Sequence, residues 1–272
     1  MKKTLFIAVI VVLVAAFGIS AFMVGDYLID GKKQANRYDE LSNIANGQTT
    51  QAPETTEVTE ATEVTETTEA TEAATFPTGA NGMLVGYDEI YEMNNHTVGW
   101  IKMEGTQMDY PVMQTPDEEN YYLYRNFDKR DSARGSIYVR EVCDVNEPSD
   151  NVTIYGHNMA DGSMFACLHS YINKNAWERN SLIFFDTLYE YHTYKIFAVF
   201  KTSANIGQGF SYHQFVDAAN EKEFNDFVSK CKELSFYDTG ITPVYGDKLI
   251  CLSTCEYTLD NGRLVVAAVR IT

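Results

Sequence analysis

The sequence is short of everything that would mark a disulfide scaffold, a metal centre or a nucleic-acid binder. Its five cysteines are an odd number, scattered from Cys143 to Cys255 without a paired framework, so at least one thiol is left over. The nearest pair, Cys251 and Cys255, lacks the C-x2-C turn of a zinc site, and no second close pair exists; no metal is expected. Basic residues are scarce, 21 against 38 acidic, and the net charge of −17 disfavours nucleic acid and anionic lipid as partners. Residues 51 to 81 carry seven glutamates and no basic residue at all.

What is present is unevenly distributed. After "MKKT", residues Leu5 to Gly25 hold no charge, and a helix of that length spans about 30 Å, the hydrocarbon thickness of a bilayer. A cleaved signal peptide is the competing reading, but its apolar core would be roughly 7 to 15 residues and would end in a clear small-x-small site. Lys2 and Lys3 before the run and Asp26 after it put residues 1–4 in the cytoplasm and everything after the span outside. From Thr50 to Thr75 glutamates recur every third residue, from Glu54 to Glu72. A period of three drifts around a 3.6-residue helix, so no apolar face forms and like charges extend the chain. Residues 26–82 are thus expected to be a juxtamembrane segment and acidic linker; its flexible part would span roughly 30 Å as a coil and about 110 Å when stretched. A glycosylated stalk or a binding repeat is the alternative reading of that array.

Residues 83–272 suffice for one well-filled core, and they read as mainly β. Strands are predicted at Thr97–Met103, Met108–Met113, Gly135–Arg140, Asn151–Gly156, Ser181–Asp186, His192–Thr202, Lys248–Cys255 and Arg263–Ile271. Helical patterns fall at Ser163–Arg179 and Glu221–Leu234, the latter with Phe224, Phe227, Val228 and Cys231 on one face. Eight strands with few helices point to a closed or nearly closed β-barrel.

Chemistry is concentrated near the C-terminus. In "KLICLSTC", Cys251 and Cys255 share a face and lie about 13 Å apart, too far for a disulfide. Cys255 ends the apolar run, where local sequence allows either a reactive thiol or one more small hydrophobe, whereas Cys143, Cys167, Cys231 and Cys251 read as buried small hydrophobes. A nucleophilic thiol needs a base, and of five histidines His157, at the end of "VTIYGH", has the best address, with a plain turn histidine as the alternative reading of its local sequence. A cation follows at Arg263. A tight turn at Asn261-Gly262 would set Cys255 opposite Ala268; a wider loop from Glu256 to Gly262 would set it beside Arg263. Glu256, next to Cys255, should face the other way and read as a solvated loop residue rather than a partner for His157.

The motifs "TVGWIKMEGTQMDYPVMQ", "NFDKRDSARGSIYVRE", "TIYGHNMADGSMF", "LSTC" and "RLVVAAV" together resemble the class B sortases, in that family's order and over nearly all of residues 87 to 272. The resemblance implies a closed eight-stranded sortase-type β-barrel with peripheral helices, including a long helix before the cysteine strand. It implies Cys255 as nucleophile, His157 as general acid/base and Arg263 as the cation that orients substrate and stabilises the oxyanion. Thr254 is expected to shape the substrate groove through backbone and hydroxyl contacts, with Ser253 and Leu123 as further substrate-binding candidates. The reaction implied is transpeptidation without a cofactor: cleavage after threonine in the sorting signal of a surface protein, a thioester, then transfer to a cell-wall cross-bridge or pilin amine. A thiol peptidase that hydrolyses the same thioester and a non-catalytic stalked adhesin are the alternatives.

Overall fold

The runs rich in valine, isoleucine and aromatic residues form eight strands in the computed structural model, which describes residues 2–47, 78–79, 81–205 and 207–272. They are β1 (Thr97–Lys102), β2 (Asp109–Met113), β3 (Ile137–Val139), β4 (Asn151–Tyr155), β5 (Leu182–Thr187), β6 (Thr193–Ser203), β7 (Leu249–Glu256) and β8 (Gly262–Arg270). They close into a barrel in the order β1-β2-β3-β4-β7-β8-β6-β5, which leaves no edge strand unpaired. β2–β3 and β4–β7 pair in parallel and the other neighbours antiparallel. The parallel β4–β7 pair matters most for function, because it lays two distant segments side by side in a fixed register.

Alternation along β7 and β8 divides their side chains between two cores. Ile250, Leu252, Leu264, Val266 and Ala268 join the main core, while Leu249, Cys251, Val265, Ala267 and Val269 pack with helix α4 (Glu221–Leu234). The helix presents Phe224, Phe227, Val228 and Cys231 to them, as its pattern predicts, and it precedes the cysteine strand. Its start is capped reciprocally: the Asn220 side chain accepts the Glu223 N–H at 3.1 Å, and the Glu223 carboxylate accepts the Ala219 N–H at 3.0 Å. Phe224 is fully buried. Phe224→Ala is expected to cost about 3–5 kcal/mol, read as a lower denaturation midpoint at unchanged slope.

The predicted helix over Ser163–Arg179 is two pieces, a 3-10 segment at Ala166–Ile172 and α3 (Lys174–Arg179). The break lies at Asn173, whose extended backbone ends the first piece and whose side chain accepts the Asn175 N–H to start the second. Three helical elements are not among those predicted: α2 (Tyr87–Met93) and the 3-10 turns at Tyr121–Tyr124 and Tyr212–Gln214.

The larger difference concerns the N-terminal segment. A single helix, α1, runs from Lys2 to Ala45, and its part from Ile10 onward is long and apolar enough to cross a membrane. Beyond the apolar run it does not become a tether. Gln34, Tyr38, Leu41 and Ile44, spaced three or four apart, are buried against the barrel side of the molecule. The acidic Thr/Glu array itself lies outside the described residues.

Candidate active site

The register of three strands brings the predicted residues together. Across the antiparallel β7–β8 pair Cys255 stands directly opposite Arg263, so their Cβ atoms are about 4.5–5.5 Å apart. Across the parallel β4–β7 pair Tyr155 stands opposite Ser253, and the ladder continues with the Gly156 N–H on the Ser253 carbonyl at 3.1 Å. Past the end of β4 the chain carries His157 to the same cavity as Cys255. Gly156 is required at this step, because a Cβ there would run into Ile137 and Phe165 at 2.5 and 2.6 Å. His157, Cys255 and Arg263 line one cavity of about 360 Å³, together with Leu123, Ser253 and Thr254.

The hydrogen bonds define how each group is held. His157 Nε2 donates to the Leu123 carbonyl at 2.7 Å, and the Tyr124 ring lies against the imidazole with centroids 5.7 Å apart. Asn158 Nδ2 donates to the Cys255 carbonyl at 3.3 Å, tying the histidine loop to the end of the cysteine strand. Arg263 Nη1 donates to the Gly262 carbonyl at 2.9 Å. Ser253 is buried, and its hydroxyl is paired with the Tyr212 phenol at 2.6 Å. Thr254 lines the cavity, but its hydroxyl, on the face away from Cys255, is buried with no hydrogen-bond partner among the described residues.

Glu256 is not the solvated loop residue that its position implies. It is 4 % exposed, and its carboxylate accepts from Lys201 Nζ at 2.8 Å, the Thr258 N–H at 3.0 Å, the Thr258 hydroxyl at 2.8 Å and the Leu259 N–H at 3.2 Å. These bonds gather the Tyr257–Asn261 turn around one buried charge. The wide loop, and with it the Cys255–Arg263 register, is thus anchored through Glu256. Burial works against the charge, yet the donors from Lys201 and Thr258 hold the carboxyl at about 2, below its ordinary 4.5. A lowered carboxyl contributes stability that is fully present above the ordinary value and fades as the pH falls towards the folded one. Melting temperature measured between pH 5 and 2 is expected to fall less steeply for Glu256→Gln than for the native chain. Glu256→Ala, which strands Lys201, is expected to cost about 3 kcal/mol at neutral pH.

Several cavity residues were not singled out from sequence. Arg140, Tyr138, Tyr155, Tyr212, His213 and Asn120 come from four separate segments that only the fold assembles. Arg140 donates to the His213 carbonyl. Burial, then the charges of Arg140 and Arg263, push the His213 imidazole below its ordinary value. The other thiols sit in apolar surroundings that oppose ionisation: burial raises Cys143, Cys231 and Cys251, and lifts Cys167 to about 11. Among the described residues no His/Cys/Asp/Glu group is arranged to hold a metal ion.

This arrangement has counterparts. A sortase-domain family profile matches residues 101–271. Sortase B of Listeria monocytogenes is 32 % identical over 187 residues, covering 68 % of this chain and 73 % of that protein. A structure of sortase B from Bacillus anthracis in complex with AAEK1 superposes with a TM-score of 0.69 at 28 % identity, covering 90 % of this chain and 99 % of that one. The Staphylococcus aureus sortase B–substrate complex matches with a TM-score of 0.63 at 28 % identity, over 69 % of this chain and 85 % of that one. With the family profile covering most of the barrel, and class B members matched in both sequence and fold, the chain belongs to the sortase family, in its class B.

Proposed function

We propose that this sortase cleaves a sorting signal after threonine through Cys255 and passes the acyl group to a cell-wall peptide or pilin amine outside the membrane. The observation that carries the reading is that Cys255 and Arg263, paired across β7 and β8, share one cavity with His157, which follows β4. The Cys255 thiolate attacks the threonine carbonyl; a C–S bond forms and the oxyanion is met by Arg263 and backbone N–H groups. As the C–N bond breaks, His157 gives a proton to the departing amine. An incoming amine then loses a proton to His157 and attacks the thioester; a new C–N bond forms and the thiolate is released. A carbonyl can only accept, so the bond to Leu123 requires a proton on Nε2. Nδ1 is left as the nitrogen that exchanges protons during turnover.

The thioester holds the acyl group activated, so the chemistry needs no cofactor. The apolar helix, with Lys2 and Lys3 before it, supports a single-pass anchor with the N-terminus in the cytoplasm and the barrel outside. The test is incubation with a panel of threonine-containing peptides, N-P-x-T-like signals first, together with triglycine. A peptide–triglycine amide is expected by mass spectrometry. Cleavage with only the free acid would replace transfer by hydrolysis.

A further inference from the structure

The acidic array and the membrane helix invite the picture of a domain floating on a long stalk, and the contacts of α1 contradict it. Residues Tyr27, Gly31, Gln34, Tyr38 and Leu41 recur at three or four positions and lie on one face of the helix. Each meets the catalytic domain or packs in its core. The Arg134 guanidinium sits over the Tyr27 ring at 4.9 Å, and a Cβ on Gly31 would run into that same guanidinium. Gln34 Nε2 donates to the Gly135 carbonyl at 2.7 Å, and Ser132 Oγ donates to Asp30 at 3.0 Å. Tyr38 packs edge-on against Tyr110 at 5.0 Å, Leu41 is fully buried and Ser42 donates to Asp109 at 2.8 Å. A glycine inside a helix costs about 1 kcal/mol relative to alanine; here it admits Arg134, which also pairs with Asp161 of the histidine loop at 2.5 Å.

The far end of the segment returns to the same place. Gly86, at φ +89°, lies so close to α1 that a Cβ on it would meet the Ile44 carbonyl, with Ala45 Cα at 3.3 Å. The stretch between Ala45 and Gly86 therefore begins and ends at one point on the domain. Whatever its length, it cannot set the distance between domain and membrane.

We infer that α1 is a strut that seats the catalytic domain directly on the lipid surface. The inference rests on reading α1 as the membrane span. Tyr27 stands two residues beyond the apolar run, so the first contact with the domain is about 3 Å along the helix from the lipid boundary. Phe22, Met23 and Tyr27 share a cleft with Tyr124, the residue whose ring lies against His157. One aromatic layer separates the helix exit from the candidate catalytic histidine. The partner of this face is a lipid surface, and the peptide bond that reacts is one presented at headgroup level. Attraction of charge does not explain the seating, because Asp26, Asp30 and Asp131 line the same cleft alongside Lys33.

The test uses the full chain in phosphatidylcholine vesicles carrying dansyl-labelled headgroups, with the two native tryptophans as energy donors. Trp100 Nε1 donates to Asp109, which also takes the Ser42 hydroxyl; Ser42 is about 26 Å along the helix from Gly25. Two variants accompany the native chain: one lacks residues 50 to 75, the other carries twelve Gly/Ser residues between Gly25 and Asp26. A strut predicts strong transfer that is unchanged by the deletion and lowered by the insertion. Transfer that rises with the deletion, or that ignores the insertion, overturns the strut while leaving the span intact. Failure of the native chain to co-float with the vesicles would instead remove the membrane reading, and the strut with it.

Discussion

Cys255→Ala is expected to lower the rate of acyl transfer by at least about 10⁴-fold, with no acyl adduct at any excess of peptide. The size of the loss follows from the lack of a substitute. Ser253 faces the same side of β7 but lies one pleat back, about 7 Å away, and its hydroxyl is held by Tyr212. Cys251 is two pleats back, fully buried beneath α4, and burial opposes its ionisation. Cys255 itself is only partly buried, so removing its sulfur should change stability by no more than about 0.5 kcal/mol. Loss of turnover with an unchanged melting temperature is thus the signature of a nucleophile. Intact-mass analysis after incubation with the sorting peptide reads it directly. An adduct that persists on the variant, mapped to Cys167 or Cys251, would assign the chemistry to another thiol.

The parts of the site that were legible in the sequence are those set by strand arithmetic. Cys255 ends a strand that alternates cleanly, His157 follows one, and the only loop that brings Arg263 to Cys255 is the wide one that β7 and β8 form. Glu256 was misread because the same arithmetic turns it away from Cys255, correctly, but says nothing of what waits there. Lys201 on β6, two strands across, makes a buried carboxylate affordable. The strut was illegible for a different reason. Its face mixes Tyr27, Gly31, Gln34 and Tyr38, and neither glycine nor glutamine signals burial until Arg134 and Gly135 arrive from a hundred residues away. Thr254 shows the limit from the other side: alternation turns its side chain away from Cys255, and its hydroxyl is buried, yet the residue still lines the cavity.

Arg263→Ala is expected to lower kcat by about 10²–10³, the loss typical of removing one oxyanion donor. The assignment has a rival in Arg140, which lines the same cavity, so the two variants must be compared. Arg140 is engaged by the His213 carbonyl and lies near Glu141, with Arg140 Nε 3.7 Å from the carboxylate. Arg263 is engaged, among the described residues, only through Nη1 and only by the carbonyls of its own turn, Gly262 and Asn261. Those bonds aim the guanidinium rather than neutralise it. Arg263 also stands directly across from Cys255, the proposed nucleophile, whereas Arg140 follows the end of β3. Arg263→Ala should therefore depress kcat with little change in KM, because the interaction strengthens only as the oxyanion forms. Arg263→Lys should recover part of the loss, since a point charge replaces the planar fork without its paired donors. Arg140→Ala should act mainly on KM. A larger kcat defect for Arg140→Ala than for Arg263→Ala would transfer the oxyanion role to the segment that follows β3.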